Sequence, residues 1–203
     1  MNAPKLPLIQ WMPWLFMLAL MANWPSAAVA AGNKAQVDHL ELAAIMLKDG
    51  HHDRALLALQ SVDLENKKTD FARFYTLQGL AYMGVNDLEA AKSSLQRAVN
   101  NGQKDPAIFI YLAKTYFGLK DYQRTIDAIA NAGNLANKDA TLLSLKAESY
   151  WHLKDTDAAI YTLNRGQNAF PADYRFIKRK VFYFVELGLY QEAVRLGRDY
   201  LNR

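Results

Sequence analysis

Apolar, small and acidic residues recur along most of the chain with a period of about 34 residues, a length typical of stacked structural repeats. Each of the clearest units begins with a tyrosine, followed by an aspartate after five residues, a small residue after nine and an aliphatic residue after thirteen. Three segments share this register, namely Tyr82–Ala98, Tyr116–Ala132 and Tyr150–Gly166. One further period reaches Phe184, with Gly188 and Ala193 in matching places. This pattern predicts a stack of similar supersecondary units.

Each unit is predicted to be a pair of helices joined by a tight turn. Residues that tolerate a left-handed backbone stand where first helices end, and these are Gly50, Asn86 and Gly188. Aspartates that can cap a second helix follow the turns, and these are Asp87, Asp121 and Asp155. Small residues at the crossing of two helices let their backbones approach closely, while aromatic residues fill the gaps between hairpins.

These positions resemble the tetratricopeptide repeat family, whose pattern is W-x2-L-G-x2-Y, then Ala-x3-Phe, then Pro. The small first-helix position is Ala43, Gly79, Ala113, Ala147 and Val181, and the small second-helix position is Ala55, Ala91, Thr125, Ala159 and Ala193. No repeat has the tryptophan, and the leucine is replaced by Gln78, Lys146 and Lys180. The first repeat needs two extra residues, which we place within Asp63–Thr69.

The resemblance implies an all-α fold, a right-handed superhelical solenoid of about five helical hairpins. The repeats would start near residues 36, 72, 106, 140 and 174 and fill residues 36–203. Residues 31–35 would form a short lead.

The N-terminal residues have the three-part layout of a secretory signal peptide. Residues 11–24 are apolar and uncharged, Pro25 follows them, and Ala28 and Ala30 form an A-x-A cleavage pattern. We therefore predict a signal peptide at residues 1–30, cleaved after Ala30, with cleavage after Ala31 as a near-equal alternative. The predicted location is the periplasm, and a eukaryotic secretory route is the alternative. The apolar run is shorter than the roughly 20 residues of a membrane span. An uncleaved membrane anchor, which would keep the protein near the membrane, stays open.

Composition narrows the function classes. The chain has no cysteine, which excludes disulfides and thiolate metal sites. The net charge is +4, and the segment 175–203 accounts for it, with seven basic and three acidic side chains. Nucleic-acid binders usually show a concentrated basic face together with a high pI. No nucleic-acid partner is predicted.

The sequence contains no motif typical of an enzyme active site or a metal site. His51 and His52 fall in a predicted turn beside Asp53, and no further ligand is placed to join them in a metal site. The chain has no G-x-S-x-G, no Gly-rich phosphate loop and no H-E-x-x-H. We expect no enzyme activity, no cofactor and no metal.

The resemblance implies a concave groove lined by the first helix of each hairpin. Carried over by position, the partner-binding residues are Tyr111, Lys114, Phe117, Trp151, His152, Lys178, Arg179 and Phe182, and Leu77 is among the other inward-facing positions. Aromatic groups beside Lys and Arg suit an acidic or amphipathic partner segment. Replacing Trp151 and Phe117 by Ala should then weaken capture of the partner without unfolding the chain.

The leading hypothesis is a periplasmic scaffold or adaptor that binds a protein partner in a cell-envelope assembly, such as a pilus, a secretion machine or an exopolysaccharide exporter. One alternative is a self-associating structural subunit, a homo-oligomer that packs through Tyr200 and Leu201. Another is a membrane-anchored assembly factor with an uncleaved N-terminal helix.

Overall fold

The structure is a computed structural model that describes residues 38–201 of the 203-residue chain. The described residues form eleven helices and no strand. In chain order the helices are α1 His39–Lys48, α2 His52–Gln60, α3 Phe71–Gly84, α4 Leu88–Asn100, α5 Ala107–Gly118, α6 Tyr122–Asn131, α7 Asn134–Asn137, α8 Ala140–His152, α9 Thr156–Ala169, α10 Arg175–Glu186 and α11 Tyr190–Leu201. The predicted signal peptide and the lead at residues 31–35 lie outside the described residues.

The helices pack in consecutive pairs. The five hairpins are α1 with α2, α3 with α4, α5 with α6, α8 with α9, and α10 with α11. Each second helix also packs against the first helix of the next hairpin, and the first helices α1, α3, α5 and α8 contact one another in turn. Every hairpin therefore rests mainly on its neighbours, as in a repeat solenoid. The predicted all-α solenoid of about five hairpins is confirmed.

Aspartate side chains begin the second helices as the sequence predicted. The Oδ1 atoms of Asp87, Asp121 and Asp155 each accept a hydrogen bond from the backbone N–H three residues later, at 3.0–3.2 Å. First helices use the same device, with Asp38, Asp70 and Asp139 as their caps. Each cap satisfies an N–H group that has no partner within its helix.

Left-handed residues close the turns within the hairpins. The predicted Gly50, Asn86 and Gly188 have φ values of 77°, 62° and 74°. Lys120 and Lys154 take the same conformation, at φ 60° and 66°. Their residue type did not predict it, because lysine rarely adopts a left-handed backbone. These five positions hold the chain in the geometry that turns it into the next helix.

The small positions are where the helices of a hairpin touch. Ala43, Ala113 and Ala147 on first helices are fully buried, as are Ala55 and Ala159 on second helices. Val181, the bulkiest residue at the first-helix position, is half-buried. The close approach of the backbones explains why these sites carry small side chains.

Two segments depart from the plain repeat. Residues 61–70 form the loop that contains the predicted insertion, and Thr69 Oγ1 donates a hydrogen bond to the backbone oxygen of Asp63 at 2.6 Å. In the third hairpin α6 ends at Asn131, and the chain turns at Gly133 into the short helix α7. Within residues 38–201 no helix is long and apolar enough to cross a bilayer.

Candidate partner-binding groove

All eight residues predicted to bind a partner lie on the first helices α5, α8 and α10. Helix α5 packs against α8. Two contacts join α8 to α10: Arg179 Nη2 lies 2.8 Å from Glu148 Oε2, and the Trp151 ring stacks on Tyr183 with centroids 3.9 Å apart. The structure thus brings side chains of three hairpins to neighbouring places. The surface that these eight residues form is termed the first-helix face.

The aromatic residues of the first-helix face differ in how much surface they offer. Tyr111 and Trp151 are half-buried and pack against the hydrophobic core. Phe117 is half-buried too. Phe182 is 48% exposed, the largest exposed fraction of the four. Because Trp151 stacks on buried Tyr183, replacing Trp151 by Ala would also cost packing energy. Phe182 is the better residue for testing binding alone.

A second-helix residue extends the aromatic surface. Tyr122, at the start of α6, meets Phe117 edge to face with ring centroids 5.9 Å apart. The ring of Tyr122 also stacks on His152, at 4.3 Å and 9° between planes. Phe117 and His152 are thereby linked across two hairpins. Position in the repeat did not indicate Tyr122, because the grooves of such solenoids are lined mainly by first helices.

Some basic side chains of the first-helix face have an acidic partner among the described residues and others do not. Glu148 pairs with Arg179, and its Oε1 atom lies 3.9 Å from His152 Nε2. Lys114 and Lys178 are exposed and form no ion pair with any described residue. A partner would therefore meet net positive charge at the two lysines, whereas Arg179 is already neutralised.

A surface pocket of about 510 Å³ opens between α8 and α10. Its lining combines exposed aromatic, basic and hydroxyl groups and consists of Ser144, Tyr174, Arg175, Lys178, Arg179 and Phe182. Clefts of this size accept small ligands or single side chains of a partner. The pocket includes Lys178, Arg179 and Phe182 of the first-helix face, and Ser144 and Tyr174 are members that the sequence did not indicate.

Arg175 is held in place by a neighbouring carboxylate. Its Nε and Nη2 atoms donate to Asp173 at 2.9 and 2.6 Å. The hydrogen bond from Arg175 lowers the pKa of the Asp173 carboxyl. Arg175 and Arg179 thus each have an internal counter-ion, and Lys178 supplies the uncompensated charge of the pocket.

The three consecutive basic residues Lys178, Arg179 and Lys180 differ in their surroundings. Lys178 is exposed and Arg179 pairs with Glu148, but Lys180 is buried. The Lys180 Nζ atom donates to Asn164 Oδ1 and to Gln167 Oε1, each at 2.8 Å. Lys180 therefore has a structural role between α9 and α10. Leu77, expected to face the groove, is also buried in the core.

Tyr183 is fully buried beneath the first-helix face, and its hydroxyl group has no hydrogen-bond partner among the described residues. Burial raises the pKa of Tyr183 to about 12; the charge of Arg179 opposes this rise and that of Glu148 adds to it. The tyrosine supports the Trp151 ring by stacking.

The histidine pair lies away from the first-helix face. His52 begins α2, and its ring lies against Gly84 at the end of α3. Within the part of the chain that the structure describes, no group of three or more His, Asp or Glu side chains is arranged to hold a metal ion.

Comparison with known families identifies the repeat unit. The tetratricopeptide repeat model matches residues 72–101, which cover the second hairpin. This hairpin is similar to a tetratricopeptide repeat. The resemblance inferred from the sequence is therefore confirmed. The matched repeat includes Gly79 and Ala91, the two small positions where its helices cross.

The tetratricopeptide-like fold extends to the other hairpins. The chain is similar to the solved structure "MamA 41-end from Desulfovibrio magneticus RS-1", with a TM-score of 0.70 and 16% identity over 83% of this chain and 96% of that one. It is also similar to a crystal structure of MamA, with a TM-score of 0.68 and 21% identity over 79% of this chain and 93% of that one. Such identities show the fold alone. No curated protein sequence matches the chain.

Proposed function

We propose that this protein is a non-catalytic scaffold that binds a segment of a protein partner on its first-helix face. Solenoids of helical repeats offer extended surfaces of this kind for binding. The observation that carries the proposal is the pocket between α8 and α10, where exposed Phe182 and Tyr174 lie beside the uncompensated Lys178. An exposed aromatic surface next to a positive charge is suited to a partner residue pair of one apolar and one acidic side chain.

The partner segment would be extended or an amphipathic helix. Its apolar side chains would contact exposed Phe182 and the half-buried rings of Phe117 and Trp151. Its acidic side chains would approach Lys178 and Lys114, which lie on different hairpins. Because these contacts are spread over hairpins three to five, a segment long enough to reach all three hairpins would bind more tightly than a shorter one.

The place of action follows from the predicted signal peptide. Residues 1–30 would direct the chain to the periplasm, where the scaffold would serve a cell-envelope assembly such as a pilus, a secretion machine or an exopolysaccharide exporter. Mass spectrometry of the protein isolated from the periplasm checks this part. A mature chain that begins at Ala31 supports it, and an intact Met1 in the membrane fraction would favour the anchored alternative.

The test of groove binding uses a variant that removes both features of the pocket. The partner is first identified by crosslinking and pull-down from the native envelope. We expect Lys178→Glu with Phe182→Ala to weaken its affinity at least about tenfold, the effect of losing one anchor and one favourable charge. Lys104→Glu with Tyr161→Ala makes the same kinds of change at exposed sites off the first-helix face and is the matched control. Equal affinity of the two double variants would refute the proposed site.

Self-association is the second candidate, and the last helix favours it. Among the described residues of α11 Ala193 is buried, while Val194 is 52% and Leu201 82% exposed. Apolar side chains left open on one helix suit a contact with another copy. Light scattering at two concentrations measures this directly. A mean mass that rises with concentration in the wild type, but not in Val194→Glu, supports self-association. A monomer at both concentrations contradicts it.

A further inference from the structure

A separate pocket lies at the junction of the third and fourth hairpins. It has a volume of about 290 Å³, and α6, α7, α8 and α9 all contribute to it. Lys146 and Arg165 bring two positive charges to its wall. Among the described residues no acidic side chain lines the pocket, whose other members are Ile129, Ala130, Gly133, Asn134, Ala136, Asn137 and Leu143.

Comparison with the equivalent lysine of the next repeat shows that Lys146 lacks side-chain hydrogen-bond acceptors. Lys180 stands at the same place one repeat later, and its ammonium group donates to Asn164 Oδ1 and Gln167 Oε1. One repeat before these two acceptors, the matching residues are Ala130 and Gly133. Neither has a side-chain oxygen, and both line the pocket. The space that two acceptor side chains fill beside Lys180 is thus open beside Lys146.

Lys146 has no hydrogen bond and no ion pair with any described residue, and its Nζ atom lies 5.9 Å from the centre of the Tyr150 ring. Arg165 donates one hydrogen bond, from Nη2 to Asn137 Oδ1 at 3.1 Å. Burial lowers the pKa of Lys146, and the charge of Arg165 lowers it further. Two cations that face one cavity without a counter-ion favour the entry of an anion.

We propose that this pocket binds a small oxyanion, a phosphate or a carboxylate group, between Lys146 and Arg165. The oxygens of the anion take the places that the Asn164 and Gln167 oxygens occupy beside Lys180. Arginine contributes a planar fork of donors and lysine a mobile point charge, a combination well suited to such groups.

The site is distinct from the first-helix face. Glu148, which contributes to that face, follows Lys146 on α8 by two residues, which is about 200° around a helix. Anion binding and partner binding can therefore be tested independently.

Thermal unfolding of the full chain in sodium phosphate, sodium acetate or sodium chloride at equal ionic strength tests the proposal. We expect Tm to rise saturably in phosphate or acetate relative to chloride, because a ligand of the folded state stabilises it. The salt that gives the saturable shift identifies the group as phosphate or carboxylate. No saturable shift in either salt would overturn the proposal.

Three variants locate the effect. Lys146→Gln should weaken binding of the anion at least about tenfold by removing a charged donor. Ala130→Asn keeps the charge but supplies the oxygen that Lys180 receives from Asn164, and it should abolish the shift while raising Tm in chloride. Lys104→Gln changes the net charge equally at an exposed site and should keep the full shift.

Amide chemical shifts give a readout that does not depend on stability. Phosphate or acetate should move the N–H signals of Gly133 and Asn137 in the wild-type chain and leave them in place in Ala130→Asn. Equal movement in both proteins, or a shift of Tm that Lys146→Gln retains, would show that the anion binds elsewhere.

Discussion

At the scale of single residues, the turns within hairpins depend on five left-handed positions. Glycine and asparagine enter this conformation easily, so Gly50, Asn86 and Gly188 could be predicted from residue type. Lys120 and Lys154 could not, because lysine has no such preference. Their position in the repeat does indicate the conformation. Each of the two lysines lies one repeat after the left-handed residue of the preceding hairpin turn.

The lysine turns give the first prediction. Lys154→Gly should raise the free energy of unfolding by about 1 kcal/mol, because glycine avoids the steric cost of φ 66°. Urea denaturation measures the change. Lys138→Gly is the matched control, since Lys138 has φ −98° and gains nothing from glycine. Equal effects of the two substitutions would contradict the explanation.

Tyr183 gives the second prediction. Tyr183→Phe should raise the free energy of unfolding by about 1 kcal/mol at pH 7, because it removes a buried hydroxyl group without a partner among the described residues. The folded protein holds the pKa of Tyr183 at about 12, whereas an unfolded tyrosine loses its proton near 10. Deprotonation then favours the unfolded chain, so the wild type should lose stability as the pH rises from 10 towards 12.

Denaturation curves at pH 7, 9 and 11 check both parts of this prediction. The advantage of Tyr183→Phe over the wild type should grow at pH 11. Tyr161→Phe, at an exposed tyrosine, should match the wild type throughout. A Tyr183→Phe protein that is less stable at pH 7 would mean that the hydroxyl group does have a partner, such as a water molecule.

At the scale of elements, the hairpins depend on close approach of their helices. A Cβ atom added to Gly79 would lie 2.6 Å from Leu95 Cγ on the facing helix. The repeat pattern predicted a small residue here. The break between α6 and α7 was not predicted, because the repeat period continues through it, and Gly133 with φ 57° marks the turn.

The third prediction compares two glycines within helices. Gly79→Ala should lower the free energy of unfolding by about 2 kcal/mol through overpacking against Leu95. Gly197→Ala should instead raise it by about 0.5 kcal/mol, because no described atom lies within 4 Å of the new methyl group and alanine favours helix. Chemical denaturation of the wild type and both variants measures these changes in the free energy of unfolding. Stabilisation by Gly79→Ala would contradict the packing described for the second hairpin.

At the scale of the whole molecule, the period predicts the number and order of hairpins because each unit repeats the same contacts with its neighbours. The contacts that shape the candidate site were harder to foresee. The stack of Trp151 on Tyr183 and the pair of Glu148 with Arg179 join side chains of different hairpins. Their formation depends on the rotation between hairpins, which no single repeat encodes. Position in the repeat indicated which helices carry the candidate site but not which of its side chains stay exposed.

Photo-crosslinking in the native cell shows directly whether a partner binds on the first-helix face. A photoreactive amino acid is placed at position 182 on α10, at position 114 on α5, and at the exposed position 161 on the second helix α9. We expect one common partner to be crosslinked at positions 182 and 114 and not at position 161. Crosslinking of that partner at position 161, with none at positions 182 and 114, would contradict it.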